Sequence, residues 1–269
     1  MEGTDHCAHF VALTFLVFVE KLGGTGVFKK MIKSLLASNL LFALVACGGT
    51  GSEFDPGAGN NPGTGTSTLT INGSARAEAR VTNALDPGQF STDLSVRVEK
   101  NGIAVTTGTV TVRSATGMIT LAYNPNGNGG RWEGTAAGYD EVYLFDIESG
   151  TDNVKGVRVD GPDIHTFTKP TAGATLDSTL ENALEWDRGD KADSASLRTE
   201  IIDSLAIPDT GKYALAAGGL KAEKDQAKEN SIRITRTNRV TPSGAAGGSE
   251  VSVSVDNSVQ VLVAANPAL

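Results

Sequence analysis

Asp187, Asp190 and Asp193, with Asp203 and Asp209 downstream, form the densest run of carboxylates in the chain. Calcium takes about six to eight oxygen ligands, and loops at one end of a β-sandwich can supply them, so the first three are the candidate metal ligands. Their spacing is not that of an EF-hand loop and no Gly-Asp repeat accompanies them, which favours a solvated acidic loop. Trp132 and Trp186, with Tyr123, Tyr139 and Tyr143, are candidates of another kind, because aromatic rings stack on the C–H faces of sugars. One tryptophan filling each of two cores is the favoured alternative. No G-x-S-x-G, P-loop or G-x-G-x-x-G motif occurs, and no spacing singles out a carboxylate pair for glycoside hydrolysis. A hydrolase built on acidic residues is therefore a distant third reading, and no cofactor beyond calcium is expected. With 31 acidic against 23 basic residues and a net charge of −8, the chain lacks the clustered cations that hold a phosphate backbone, so no nucleic-acid partner is expected.

The remaining reactive group is a thiol. Lys29, Lys30 and Lys33 flank Met31, the apolar run Leu35 to Ala46 follows, interrupted by Ser38 and Asn39, and Cys47-Gly48-Gly49 ends it. A basic segment, a short apolar segment and small residues at a cleavage point make a signal peptide, and the run is too short to span a bilayer comfortably. Leu44-Val45-Ala46-Cys47 resembles the bacterial lipobox. That resemblance implies that the leader 1–46 is removed, that the Cys47 sulfur receives a diacylglycerol and that the new amino terminus is acylated. It also implies an extracytoplasmic protein anchored to the cell envelope. Gly48, where an aspartate would retain an enterobacterial lipoprotein in the inner membrane, points to the outer membrane. Residues 1–30 carry a second apolar run, Phe10 to Val19, preceded by Glu2 and Asp5, which suits neither a basic leader nor this plan. Translation from Met31 is favoured over an N-terminal transmembrane segment. After cleavage Cys47 and His165 are the last of their types, which leaves no disulfide framework, no multi-histidine zinc site and little room for a Ser-His-Asp triad.

These groups need elements to position them. Residues 48–66 (GGTGSEFDPGAGNNPGTGT) are too poor in apolar surface to offset their conformational entropy and read as a flexible tether. Strand alternation starts at Leu69 and Ile71 and continues through Leu94, Val96 and Val98 to Asn101-Gly102, a strong hairpin turn. Val110 and Val112, then Ile119, Leu121 and Tyr123, then Trp132, then Val142 and Leu144 with Phe145, then Val157 and Val159 mark further strands. In the second half Leu176, Leu180, Leu184 and Trp186 are spaced ambiguously, and Leu197, Ile201, Ile202 and Leu205 fit a short helix or a strand. Tyr213 with Leu215 and Ile232 with Ile234 alternate clearly. Val251, Val253, Val255, Val259, Val261 and Val263 share one phase, with one face buried and one wet.

Asp209-Thr210-Gly211-Lys212-Tyr213 resembles the D-x-G-x-Y pattern of the tyrosine corner in immunoglobulin-like domains, where the Tyr hydroxyl bonds back to the backbone. Leu215 stands where an antibody domain has its cysteine, and at least two strands follow Tyr213 where the family expects one. The expectation is an all-β chain of tandem immunoglobulin-like antiparallel β-sandwiches, 67–168 and 169–269, after the leader (1–46) and the lipidated linker (47–66). The expected role is non-catalytic: structural, adhesive or assembly work at the envelope. The membrane, through the lipid, is one partner, with envelope proteins or glycans as others. A carbohydrate-binding envelope lipoprotein is the alternative.

Overall fold

Alternating polar and apolar residues fold into strands along almost the whole described chain, residues 57–269 except 128, in this computed structural model. The first half supplies β1 (Thr64–Thr66), β2 (Thr70–Ala79), β3 (Phe90–Lys100), β4 (Ile103–Ala104), β5 (Thr109–Ser114), β6 (Gly117–Thr120), β7 (Ala122–Asn124), β8 (Arg131–Ala137), β9 (Val142–Ser149) and β10 (Asp152–Asp160). The second supplies β11 (Thr166–Lys169), β12 (Thr175–Leu176), β13 (Asn182–Asp187), β14 (Ser194–Arg198), β15 (Leu205–Ile207), β16 (Lys212–Leu215), β17 (Lys228–Val240) and β18 (Glu250–Val263). Among the described residues there is no α-helix, and no helix long and apolar enough to cross a membrane.

Three sheets divide the strands. A ten-stranded sheet runs β15-β14-β17-β18-β2-β3-β8-β7, with β12 on β18 and β4 on β3. A five-stranded sheet (β1-β10-β9-β5-β6) and a three-stranded sheet (β11-β13-β16) complete the set. One core lies between the large sheet and the five-stranded one, with Phe90, Leu94, Val96, Phe145, Val157 and Val159 at its heart. The other, with Leu184, Trp186, Leu197, Ile232, Ile234 and Val261, lies between the large sheet and the three-stranded one. The class is all-β, in sandwich-like layers.

The two cores share a hairpin. β17 and β18 pair antiparallel from Lys228↔Val263 to Val240↔Val251. Val240, Val251, Val253 and Val255 enter the first core, while Ile232, Ile234, Val259, Val261 and Val263 enter the second. Each such side chain contributes roughly 1.5–3 kcal/mol when fully buried, so one hairpin stabilises both cores. A boundary at 168/169 therefore divides the chain but not the cores, because the last strand returns to the first sheet. It arrives there parallel to β2, from Glu250↔Asn72 to Asp256↔Glu78, a pairing that two purely antiparallel modules would lack.

Local details follow from the residues. Asn101 (φ 53°) and Gly102 (φ 78°) make the positive-φ turn expected of Asn-Gly, closing β3 on β4. In β9 the inward residues are Tyr143, Phe145 and Ile147 rather than Val142 and Leu144. Both phases are apolar there, and the one carrying the large rings goes inside because it buries more surface. Leu197 lies in β14, and Ile201 stands in a loop closed by Thr199, whose hydroxyl accepts the Ile201 and Ile202 amides at 3.2 and 3.0 Å. The end of the expected tether is also structured: Thr64, Gly65 and Thr66 pair with Lys155, Val154 and Asn153. A Cβ at Gly65 would collide with the Asn153 carbonyl, so glycine is what allows this approach.

Candidate functional site

Cys47 lies outside the described residues. Asp187 is exposed at the end of β13. The Asp190 amide donates to Asp163 Oδ2 at 2.6 Å, and the Asp193 carboxylate accepts the Arg239 amide at 2.8 Å. Among the described residues no three His, Cys, Asp or Glu side chains are grouped to hold a metal. Trp132 lies in the first core, its Nε1 donating to the Val105 carbonyl at 3.2 Å and its ring edge-on to Tyr123 at 5.5 Å. Trp186 lies in the second core. Tyr139 and Tyr143 are buried as well, and burial raises both hydroxyl pKa values. The structure gives each core one tryptophan and brings the rings to no shared surface.

Where the hairpin passes from one core to the other, its inward face turns polar. Arg236 is fully buried, and its Nε and Nη2 donate to Asp209 Oδ1 and Oδ2 at 3.1 and 3.0 Å. Nη1 donates to the Asp163 carbonyl at 2.8 Å, and Nη2 also reaches the Asp190 carbonyl. Asp209 additionally accepts the Ala192 amide at 2.7 Å. Burial pushes the Asp209 carboxyl up, but the Arg236 guanidinium and the Ala192 amide outweigh it and hold it below the usual range. Next to this pair, Asn257 Nδ2 donates to the Ala84 and His165 carbonyls at 2.8 and 2.7 Å, and its Oδ1 accepts the Ala84 amide at 3.0 Å. His165 is completely buried, with Nε2 donating to the Ile234 carbonyl at 3.0 Å and Nδ1 unpartnered. Burial first, then the Arg236 charge, lowers its pKa to about 3. Asp209 of the D-x-G-x-Y segment is thus a junction residue. Tyr213 is half-buried against the second core, and among the described residues its hydroxyl makes no hydrogen bond of the tyrosine-corner kind.

The opposite, outward face of the same hairpin carries a groove of about 550 Å³. Arg76 and Glu78 of β2 with Ser231 and Arg233 of β17 form its floor, and the loop from Thr199 to Asp203 rises as its wall. Beneath the floor lies Asp256 of β18, whose side chain is 1% exposed. Its Oδ2 accepts Arg76 at 2.7 Å, Thr235 Oγ1 at 3.2 Å and Arg233 at 3.3 Å, while Oδ1 is buried without a partner. An unmatched buried acceptor costs about 1–3 kcal/mol, so it calls for a reason. Arg233 also pairs with Glu78 and, chiefly through that hydrogen bond, holds its carboxyl below the usual range. Arg198, opposite Arg233 in register, pairs at 3.4 Å with an almost fully exposed Asp203.

Arg236, Asn257, Asp256 and Arg233 were not singled out by the sequence. The first two carry a legible signal, because each interrupts an apolar phase: Ile232-x-Ile234-x-Arg236 and Val255-x-Asn257-x-Val259. Asp256 and Arg233 occupy the wet phase, where nothing marks one charge from another.

No family model and no curated protein matches the chain. Among solved structures it is similar to a chimeric titin Z1Z2-Z1Z2 tandem functionalised with a GRGDS exogenous peptide from fibronectin, at 13% identity and a TM-score of 0.22, covering 76% of this chain and 100% of that one. Fibronectin(III)-like modules of Clostridium thermocellum CbhA match at 11% identity and a TM-score of 0.24, covering 75% and 96%. The BSP domain of a biofilm associated protein matches at 15% identity and a TM-score of 0.21, covering 74% of this chain and 30% of that one. Likenesses this remote carry no functional weight, and the all-β assignment rests on the strands themselves.

Proposed function

We propose that the chain is a non-catalytic, lipid-anchored cell-envelope protein, attached through Cys47 to the outer membrane, that works as a structural or adhesive module. The shared β17–β18 hairpin is the observation that carries this reading. It fastens two cores together, while the chain arriving from the N-terminal side is stapled to the first. There Asn61 and Arg158 exchange backbone hydrogen bonds at 2.9 and 2.8 Å, and the Ser243 amide, in the β17–β18 turn, donates to the Pro62 carbonyl at 2.7 Å. A module joined to its tether in this way would transmit a load rather than swivel, which suits display or adhesion at a surface. Cys47→Ala should abolish labelled-palmitate incorporation and release the protein from the membrane fraction. Retained label on the substituted protein would refute lipidation at Cys47.

A further inference from the structure

We propose that the groove over Asp256 binds an uncharged, hydroxyl-rich saccharide by hydrogen bonds to the edges of the sugar. This names a ligand for the adhesive reading and rests on it.

The groove's chemistry narrows the ligand. Three carboxylates (Glu78, Glu200 and Asp203) balance three guanidiniums (Arg76, Arg198 and Arg233) in the lining, so a phosphate, sulfate or polyanion meets no net attraction. Guanidiniums interleave with the acids, which is wrong for a metal cation. Ile201 is the one apolar side chain in the lining, too little to hold a hydrophobic ligand. What remains is unused hydrogen-bonding capacity. Arg76 commits Nη2 to Asp256, Arg233 commits Nη1 to Asp256 and Glu78, and Arg198 commits Nη2 to Asp203. The other nitrogens of each guanidinium are uncommitted among the described residues, and the Glu200 carboxylate, which feels the charge of Lys228, accepts no hydrogen bond there. Planar guanidinium and carboxylate groups present paired donors or acceptors at the spacing of adjacent sugar hydroxyls.

Asp256 gives the site its rigidity. A carboxylate buried under the floor pulls Arg76 and Arg233 onto fixed positions, so their free N–H edges are already oriented before a ligand arrives. The buried tryptophans place this site away from any aromatic platform, so recognition would proceed without stacking.

The experiment uses the full chain in polyoxyethylene detergent, which carries no sugar. It is titrated by calorimetry with maltohexaose, mannohexaose, chitohexaose, hexagalacturonate and a heparin hexasaccharide, each at low and high salt. At least one of the three neutral hexasaccharides should bind, with an affinity little changed by salt, since no counterions are released. Arg198→Gln combined with Glu200→Gln, both at the solvated wall, should weaken binding about tenfold with the melting curve unchanged. Asp256→Asn should weaken it as well, through the loosened arginines. No binding by any neutral hexasaccharide, binding confined to the acidic sugars, or unchanged affinity in the double variant would each overturn the proposal. None of these results bears on lipidation of Cys47, which the palmitate experiment reads separately.

Discussion

Asp209 and Asp256 are two versions of one arrangement. Each carboxylate is about 1% exposed and each is held by an arginine of β17. Their surroundings differ. Arg236, the partner of Asp209, is wholly buried, and both oxygens of that carboxylate are hydrogen-bonded. Arg76 and Arg233, the partners of Asp256, are 48% and 26% exposed, and one oxygen of that carboxylate has no partner. The same ion pair is therefore sealed on the inward face of the hairpin and open on the outward face. A sealed pair can only hold the fold, and it fixes the point where two cores meet. An open pair keeps the uncommitted guanidinium nitrogens of Arg76 and Arg233 within reach of a ligand, while the carboxylate itself stays buried.

The sharpest test of the contrast is the same substitution at both sites. Asp209→Asn leaves the Arg236 guanidinium charged in a place that water cannot reach. Breaking one side of a buried pair costs about 3–5 kcal/mol. For a body of this size that lowers the melting temperature by roughly 6–20 degrees. Calorimetry on the variant would read it directly, and a loss below about 1 kcal/mol would mean that the junction is wetter than its packing indicates.

Sequence patterning reached the strands better than the way they combine. Asn101-Gly102, the six valines of β18 and the burial of both tryptophans were all legible, because local turn chemistry and period-two alternation depend only on neighbours along the chain. The shared hairpin was not. Val255 and Val259 alternate identically whether they face one core or two, and only the sheet packed over them, five-stranded or three-stranded, decides which. The polar residue between them, Asn257, was the clue. A side chain in the buried phase that must satisfy the Ala84 and His165 carbonyls marks the seam between two hydrophobic clusters. The acidic run 187–193, read mainly as a solvated loop, shows how little closeness along the chain says about contact in space. Closeness in sequence raised the idea of shared ligation, yet the Asp193 carboxylate is spent on the Arg239 amide, while Asp209 and Arg236 meet across 27 residues.

The sealed face should also be the acid-sensitive one. His165 is neutral in the fold, with a pKa of about 3 against about 6.5 when exposed in the unfolded chain. The unfolded state therefore binds the proton first. Stability due to this group is complete above pH 6.5 and is lost as pH falls from there toward 3, by up to about 1.4 kcal/mol per pH unit. Between pH 6.5 and 5 the loss is about 1.6 kcal/mol, above the range in which lowered carboxyls such as Asp209 and Glu78 take up protons. Urea titrations at the two pH values should show that loss, and His165→Gln should flatten it. A wild-type stability that stays level from pH 6.5 to 5 would contradict a buried neutral imidazole.

The smallest effect belongs to the open face, and its smallness is the point. Asp256→Asn keeps the shape and an oxygen that can still accept from Thr235 and the arginines, and it removes one charge. Arg76, half exposed, then solvates its guanidinium in water, and Arg233 keeps Glu78. Nothing is stranded in a dry interior, so the cost should resemble that of a surface ion pair, about 1 kcal/mol or less. Comparing Asp256→Asn with Asp209→Asn in one denaturation series removes the chemistry of the substitution from the result and leaves only solvent access. Equal losses at the two positions would mean that Asp256 is as structural as Asp209, and the groove above it would then be only the outer surface of a second sealed joint.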